Sequence, residues 1–241
     1  MSEHTAKAFD VDLQELNRCV AQMGGLVEKA IADSVDAMVR IDTTLAERVI
    51  NVDQSIDNLQ RDVEEKAILT IARRQPMAVD LREIVSALRV ANDLERIGDL
   101  AKNIAKRVPE LNGEFRPLKL MRGLEHMARL VLAQVKQVLD SYAGRDLANA
   151  LEVWRRDKEV DAMCTSLFRE LLTYMMEDPR NITFCIHLMF SAKNIERMGD
   201  HATNIAETIY FVVHGVAMSE TRPKGDTTSF TVVNPVDKST S

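Results

Sequence analysis

Four pairs of acidic residues share one spacing: Asp53 with Asp57, Glu95 with Asp99, Asp157 with Asp161, and Glu196 with Asp200. Each pair is i, i+4, which on a helix sets both carboxylates on one face with Cβ atoms ~5–6 Å apart. Two like charges so placed cost a helix roughly 0.2–0.5 kcal/mol. A cation removes that cost, and a hard cation takes several oxygen ligands at once. Iron, manganese and zinc also accept carboxylates. Four carboxylates carry more charge than one small ion balances, which points to a multinuclear site. The competing reading is solvation, or pairing with Arg96, Arg197 and Lys158.

The pairs keep step because the chain repeats itself. Residues 94–106 read LERIGDLAKNIAK and residues 195–207 read IERMGDHATNIAE, with eight of thirteen positions identical at an offset of 101. RIDTTLA around Ile41 aligns with GRDLANA around Arg145 at an offset of 104, which Asp53–Asp57 and Asp157–Asp161 also keep. Pro76 and Pro179 lie 103 apart, so one turn of the second half is about three residues shorter.

The elements that must position the carboxylates are helices. The first half predicts helices over Val11–Arg40, from Thr44 to just before Pro76, and over Ala78–Arg107. Gly24–Gly25 could bend the first, but Ala128–Arg129 stand there in the second half, so it reads as continuous. Thr44 and Glu47 form a capping-box signal for the second helix. Leu45, Val49, Val52, Ile56, Leu59 and Val63 give it an a/d seam. A turn-rich stretch, Pro109–Pro117, joins the halves. Helices follow over Leu118–Tyr142, Asp146–Glu177 and Arg180–Gly215, with Asp178–Pro179 as a cap and first-turn proline. Short turns between long helices force antiparallel neighbours. The fold class is all-α: two tandem antiparallel three-helix bundles, residues 10–108 and 117–215, followed by a Ser/Thr/Pro/Lys-rich tail, 216–241, read as mobile.

Within the third helix, Leu81, Ile84 and Leu88 form a stripe that continues into Asn92, Glu95, Asp99 and Asn103, while Leu94, Ile97, Ala101 and Ile104 open a second apolar face. Ile182, Cys185 and Met189 lead likewise to Glu196, Asp200 and Asn204. The acids therefore continue a core stripe, and Asp53 and Asp57 flank the seam of their own helix. Neighbouring helices can bring two pairs together, one four-carboxylate cluster per half. Gly98 and Gly199 sit mid-helix, where Gly costs ~1 kcal/mol relative to Ala; close helix approach is the first explanation, room for bound metal the second. Ile209–Val213 is apolar on all sides, unlike the stretch after Val108, which points to burial between bundles or contact with another molecule.

Composition narrows the classes. A net charge of -6 argues against non-specific nucleic-acid binding, since the basic spots Arg73–Arg74 and Arg155–Arg156 sit among acids. No apolar run approaches the ~20 residues of a membrane span, and the opening residues lack a signal-peptide core, so a cytoplasmic protein is expected. Three cysteines without CxxC spacing read as reduced packing residues. His201 has Leu100 as its counterpart, which favours packing over ligation. No E-x-x-H, P-loop or G-x-S-x-G motif occurs.

The twice-repeated ERxGDxAxNIA segment, the E/D-x-x-x-D pairs and the tandem three-helix plan resemble the PhoU family of phosphate-specific transport accessory proteins, over about residues 10–215. The resemblance implies multinuclear iron or zinc clusters, with manganese or magnesium as further candidates. Asp53, Asp57, Glu95 and Asp99 would hold one, and Asp157, Asp161, Glu196 and Asp200 the other. It implies a homodimeric negative regulator of phosphate uptake and the phosphate-starvation response, not an enzyme. Its partners would be the Pst transporter ATPase and a phosphate-sensing histidine kinase, with the membrane reached only through them. The alternative is a carboxylate-bridged metalloenzyme such as a metal-dependent phosphohydrolase, which would need a positioned acid or base that the sequence does not display.

Overall fold

The computed structural model describes residues 3–111, 118–220 and 222. Among them run six α-helices: α1 Glu3–Arg40, α2 Thr43–Arg74, α3 Val79–Ala105, α4 Leu118–Gly144, α5 Leu147–Glu177 and α6 Ile182–His214. Short 3-10 turns occupy Val108–Leu111 and Pro179–Asn181, and no strand occurs among the described residues. The two expected three-helix bundles form, α1–α3 and α4–α6. They pack side by side, with α3 along α6 and α1 along α4. Most of the expected joining stretch and tail, residues 112–117, 221 and 223–241, lies outside the described residues.

Helix ends follow local chemistry, with three corrections. α2 starts at Asp42, not at a Thr44/Glu47 box: the Asp42 carboxylate accepts from Leu45 N at 2.9 Å. Asp146 caps α5 in the same way, accepting from Asn149 N at 3.1 Å. The residues before these caps, Ile41 and Arg145, both take positive φ, 55° and 52°. The turn is thus repeated in conformation as well as in sequence, even though a β-branched residue is strained there. α1 also begins well before Val11, because no Gly or Pro interrupts the residues preceding it. Asp178 caps the 3-10 turn of Pro179–Asn181 through Arg180 N at 2.9 Å, and α6 starts after it.

The core draws on every helix. Leu45, Val49, Ile56 and Val63 of the α2 seam are buried, and Val52 and Leu59 pack against its edge. On α3 the fully buried line is Ile84, Leu94, Ile97, Ala101 and Ile104, whereas Leu81 is exposed and Leu88 half-buried. The stripe that ends in Glu95 and Asp99 is therefore the margin of the core. α1 stays unbroken through Gly24–Gly25. A Cβ at Gly24 would lie 2.8 Å from Leu139 Cδ1 of α4, so this glycine permits close approach of the two bundles.

The seam between α3 and α6 is polar at its centre. Buried Asp93 of α3 accepts from His201 Nδ1 at 2.8 Å and from Asn204 Nδ2 at 3.2 Å, both on α6. The repeat equivalent of Asp93 is Asn194, whose Nδ2 is buried without a hydrogen-bond partner. Farther along, the Arg89 guanidinium stacks 4.6 Å from the Phe211 ring centroid. The apolar segment Ile209–Val213 divides accordingly: Ile209 is buried, Phe211 is half-covered by Arg89, and Val213 is 47% exposed. Ile209, Val212 and Val213 line a 360 Å³ cleft between the bundles.

Candidate metal centres

α2 and α3 bring Asp53, Asp57, Glu95 and Asp99 to one side of the first bundle, and α5 and α6 bring Asp157, Asp161, Glu196 and Asp200 together in the second. Within each set the members act on one another's protonation. Burial pushes the Glu95 carboxyl up, and the neighbouring Asp99 and Asp57 charges push the same way. Burial likewise raises Glu196, with Asp200 and Asp161 adding to it. Asp157 is raised by burial against the pull of a guanidinium beside it.

In each set an organic cation already stands between the carboxylates. In the first, Lys102 Nζ donates to Asp99 Oδ1 at 2.6 Å and to Asp53 Oδ2, joining α3 to α2. Burial alone would lower the Lys102 pKa, but the hydrogen bonds to Asp53 and Asp99 outweigh it and the shift is upward. Arg96 lies outside, 3.5 Å from Glu95 and 3.9 Å from Asp99. In the second set the position equivalent to Lys102 is Thr203, a buried residue whose hydroxyl donates to the Asp200 carbonyl at 2.7 Å. Its place is taken by Arg222, from beyond α6. Arg222 Nε donates to Asp157 Oδ2 at 3.0 Å, and Nη2 reaches both Asp157 and Asp200. Lys193 Nζ donates to Glu196 Oε1 at 2.8 Å. Of the cations named from the sequence, Arg96 alone makes a described pair with these acids. Lys102 was missed from the sequence, although its i+3 position from Asp99 on the same helix was the signal that could have found it. Arg222 carried no signal, because nothing in its spacing links it to Asp157.

The two sets differ in depth. Asp157, Asp161 and Glu196 are 1%, 2% and 5% exposed, whereas in the first set only Asp53 is buried, at 8%. The second also contains more unsatisfied oxygen. Glu196 Oε2 and Gln134 Oε1 are buried without a partner, and orphaned buried acceptors are rare unless something fills them. At the offset of 104 the counterpart of Gln134 is Ala30, so the first set lacks this oxygen. The repeated glycines follow the same division. A Cβ on Gly98 would press against Ile56 Cδ1 at 2.9 Å, which is helix packing. A Cβ on Gly199 would sit 3.3 Å from Asp157 Oδ1 and 3.5 Å from Gln134 Oε1, at the edge of the oxygen cluster.

This donor set fits a hard cation in kind: carboxylates, an amide oxygen, and an unpaired buried oxygen waiting for a positive partner. Among the described residues no three His, Cys, Asp or Glu side chains converge tightly enough to ligate one ion. Lys102 and Arg222 bridge carboxylates that would have to close around a metal.

Two segments of the chain, residues 20–108 and 124–209, match the PhoU domain. The sequence is 58% identical to a phosphate-specific transport system accessory protein PhoU homolog of Rhizobium meliloti, covering 94% of this chain and 95% of that one. It is 49% identical to the corresponding Caulobacter vibrioides protein, covering 95% and 100%. The crystal structure of PhoU from Pseudomonas aeruginosa superposes with a TM-score of 0.81 at 39% identity, covering 86% of this chain and all of that one. The phosphate transport system regulatory protein PhoU of Streptococcus pneumoniae gives 0.82 at 26%, covering 88% and 100%. With both bundles matched and the similarity running nearly end to end, the chain belongs to the PhoU family.

Proposed function

We propose that the chain is a non-enzymatic regulator of phosphate transport that represses phosphate uptake and the phosphate-starvation response. Its carboxylate sets hold metal. The near end-to-end identity with accessory proteins of phosphate-specific transport carries the regulatory part of this reading. The metal part rests on the orphaned Glu196 Oε2 within a buried carboxylate cluster. Asp53, Asp57, Glu95 and Asp99 would hold one centre, and Asp157, Asp161, Glu196 and Asp200 the other; iron or zinc comes first, manganese or magnesium next. The acids alone repel phosphate, so any phosphate contact at these sets goes through a bound cation. No helix of the described residues is long and apolar enough to cross a membrane. The Pst transporter ATPase and a phosphate-sensing histidine kinase are therefore met by docking, with homodimerisation enlarging the docking surface.

Two measurements test this. Deleting the gene should switch on phosphate-starvation genes in phosphate-replete cells, and normal repression there would reject the regulatory role. Elemental analysis of tag-free protein purified without chelator should find more than one metal equivalent per chain. No metal, with no uptake of iron, zinc, manganese or magnesium, would reject the centres while leaving the regulatory role standing.

A further inference from the structure

We propose that Arg222 is a built-in plug for the second carboxylate set, and that metal entering this set expels it and releases the chain segment beyond α6. The competition rests on the metal reading above; the docking of Arg222 does not.

The strongest observation is an equivalence between the halves. Asp53 and Asp99 of the first set correspond to Asp157 and Asp200 of the second. In both sets one cation bridges this same pair of acids, joining the second helix of the bundle to the third. In the first half the cation is Lys102, one turn from Asp99 on α3 itself. It can swing aside but cannot leave. In the second half the helix position holds uncharged Thr203, and the bridge comes from a residue outside the bundle. The same electrostatic need is met permanently in one half and by a detachable segment in the other.

The route of the segment fits a detachable strap. His214 ends α6 fourteen residues beyond Asp200, ~21 Å along the helix at 1.5 Å per residue. Gly215, at φ 74°, turns the chain out of the helix. Arg222 is seven residues farther on, a reach of at most ~23–25 Å. The segment therefore turns back along the bundle toward Asp200, with Met218 packed against the core on the way. A strap outside the helices gains few contacts per residue ordered, and ordering each residue costs ~1–2 kcal/mol of backbone entropy. The guanidinium is its main anchor: its side chain is 13% exposed, against carboxylates 1% and 29% exposed. A multivalent ion that neutralises Asp157 and Asp200 removes both acceptors of that anchor.

A single guanidinium also leaves the set incompletely filled. Glu196 Oε2 and Gln134 Oε1, each on a residue about nineteen-twentieths buried, stay unpaired with Arg222 in place. Arg222 thus holds the site in a neutral-leaning state without satisfying it, which is what a displaceable occupant does.

The test uses full-length protein, wild type and Arg222→Gln, with hydrogen–deuterium exchange of the peptide spanning residues 215–222 and with metal uptake measured on the same samples. In chelator, Arg222→Gln should exchange this peptide about tenfold faster than wild type, the factor for a segment docked about nine-tenths of the time. Asp200→Asn should also speed exchange, since it removes the other half of the bridge. Saturating Zn(II), Mn(II) or Fe(III) should bring wild type to the Arg222→Gln rate, and Arg222→Gln should bind metal at the second set about tenfold more tightly. Equal exchange of the two proteins in chelator would overturn the plug. So would metal uptake by wild type with the peptide's exchange unchanged; either result leaves the metal reading intact. If neither protein takes up metal, the metal reading and the competition fall together.

Discussion

Gly199→Ala and Gly98→Ala replace equivalent glycines in the two repeats, yet the structure gives them opposite consequences. Each exchange removes a mid-helix glycine and gains ~1 kcal/mol of helix propensity. At Gly98 the new methyl meets Ile56 Cδ1 at 2.9 Å, inside contact distance, and Ile56 is 1% exposed, so its side chain must shift within the core. Overpacking of this kind costs about 1–3 kcal/mol, so the net for Gly98→Ala lies between ~0 and 2 kcal/mol destabilising. At Gly199 the nearest atoms are Asp157 Oδ1 at 3.3 Å, Gln134 Oε1 at 3.5 Å and Val131 Cγ2 at 3.7 Å. Only the first asks for a few tenths of an ångström of give. Metal-free Gly199→Ala should therefore be as stable as wild type or up to ~1 kcal/mol more stable, which is a rise of up to ~2–4 °C in Tm for a chain of this size. Its methyl, however, stands against the two oxygens that a metal in the second set would draw inward, so uptake there should fall. Calorimetric melting in chelator and metal titration by isothermal calorimetry read the two effects separately. A Gly199→Ala protein that melts well below wild type and binds metal normally would refute the assignment of this glycine to the site. Equal loss in both variants would return both glycines to plain helix packing.

Other expectations follow from the cations and the inter-bundle seam. Lys102→Met leaves buried Asp53 without its bridge, so metal-free protein should lose about 1–3 kcal/mol, read by chemical denaturation; metal should restore more stability to this variant than to wild type. Burial raises Glu95, Glu196 and Asp157, so the folded state holds protons on them above the ordinary carboxylate range. These groups make metal-free protein lose stability as pH rises from about 4.5 through their folded values. Glu196→Gln should flatten that slope in melting runs across pH 4.5–7, and an unchanged slope would remove Glu196 as a source. Phe211→Ala should lower the melting temperature by exposing the face under Arg89. If it instead leaves melting unchanged and dissociates oligomers in sedimentation, the segment serves another subunit rather than the bundle seam.

The helices and the repeat were legible because both rest on local pattern: apolar spacing, the caps, and identities at fixed offsets. The carboxylate sets were legible as faces, since i, i+4 spacing fixes relative direction within a helix whatever packs against it. Partnership across helices was not. Thr44 and Glu47 make a capping box on paper, but Asp42 sits two residues earlier with its carboxylate against Leu45 N, and the chain turns there. The glycines read as one repeated feature, and the residues opposite them decide what each does: Ile56 for one, Asp157 and Gln134 for the other. Lys102, overlooked in favour of Arg96, was findable from its distance along α3. Arg222 could not, because a strap returning along a bundle leaves no periodic trace.

The bond from Asp93 to His201 and Asn204 makes the two halves unlike pieces of a lock. Two copies of the first half, docked as the halves dock here, would set Asp93 against Leu100 and Asn103. The amide could still donate, but the imidazole would be replaced by a side chain with no donor. A buried carboxylate that loses a partner costs about 1–3 kcal/mol, and symmetry would impose the loss twice. Two copies of the second half would set Asn194 against His201 and Asn204, a neutral contact without the buried charge. A gene cut between residues 111 and 118 should accordingly yield fragments that favour each other over themselves. Pairing of unlike halves within one chain is thereby favoured over exchange between the bundles of neighbouring chains.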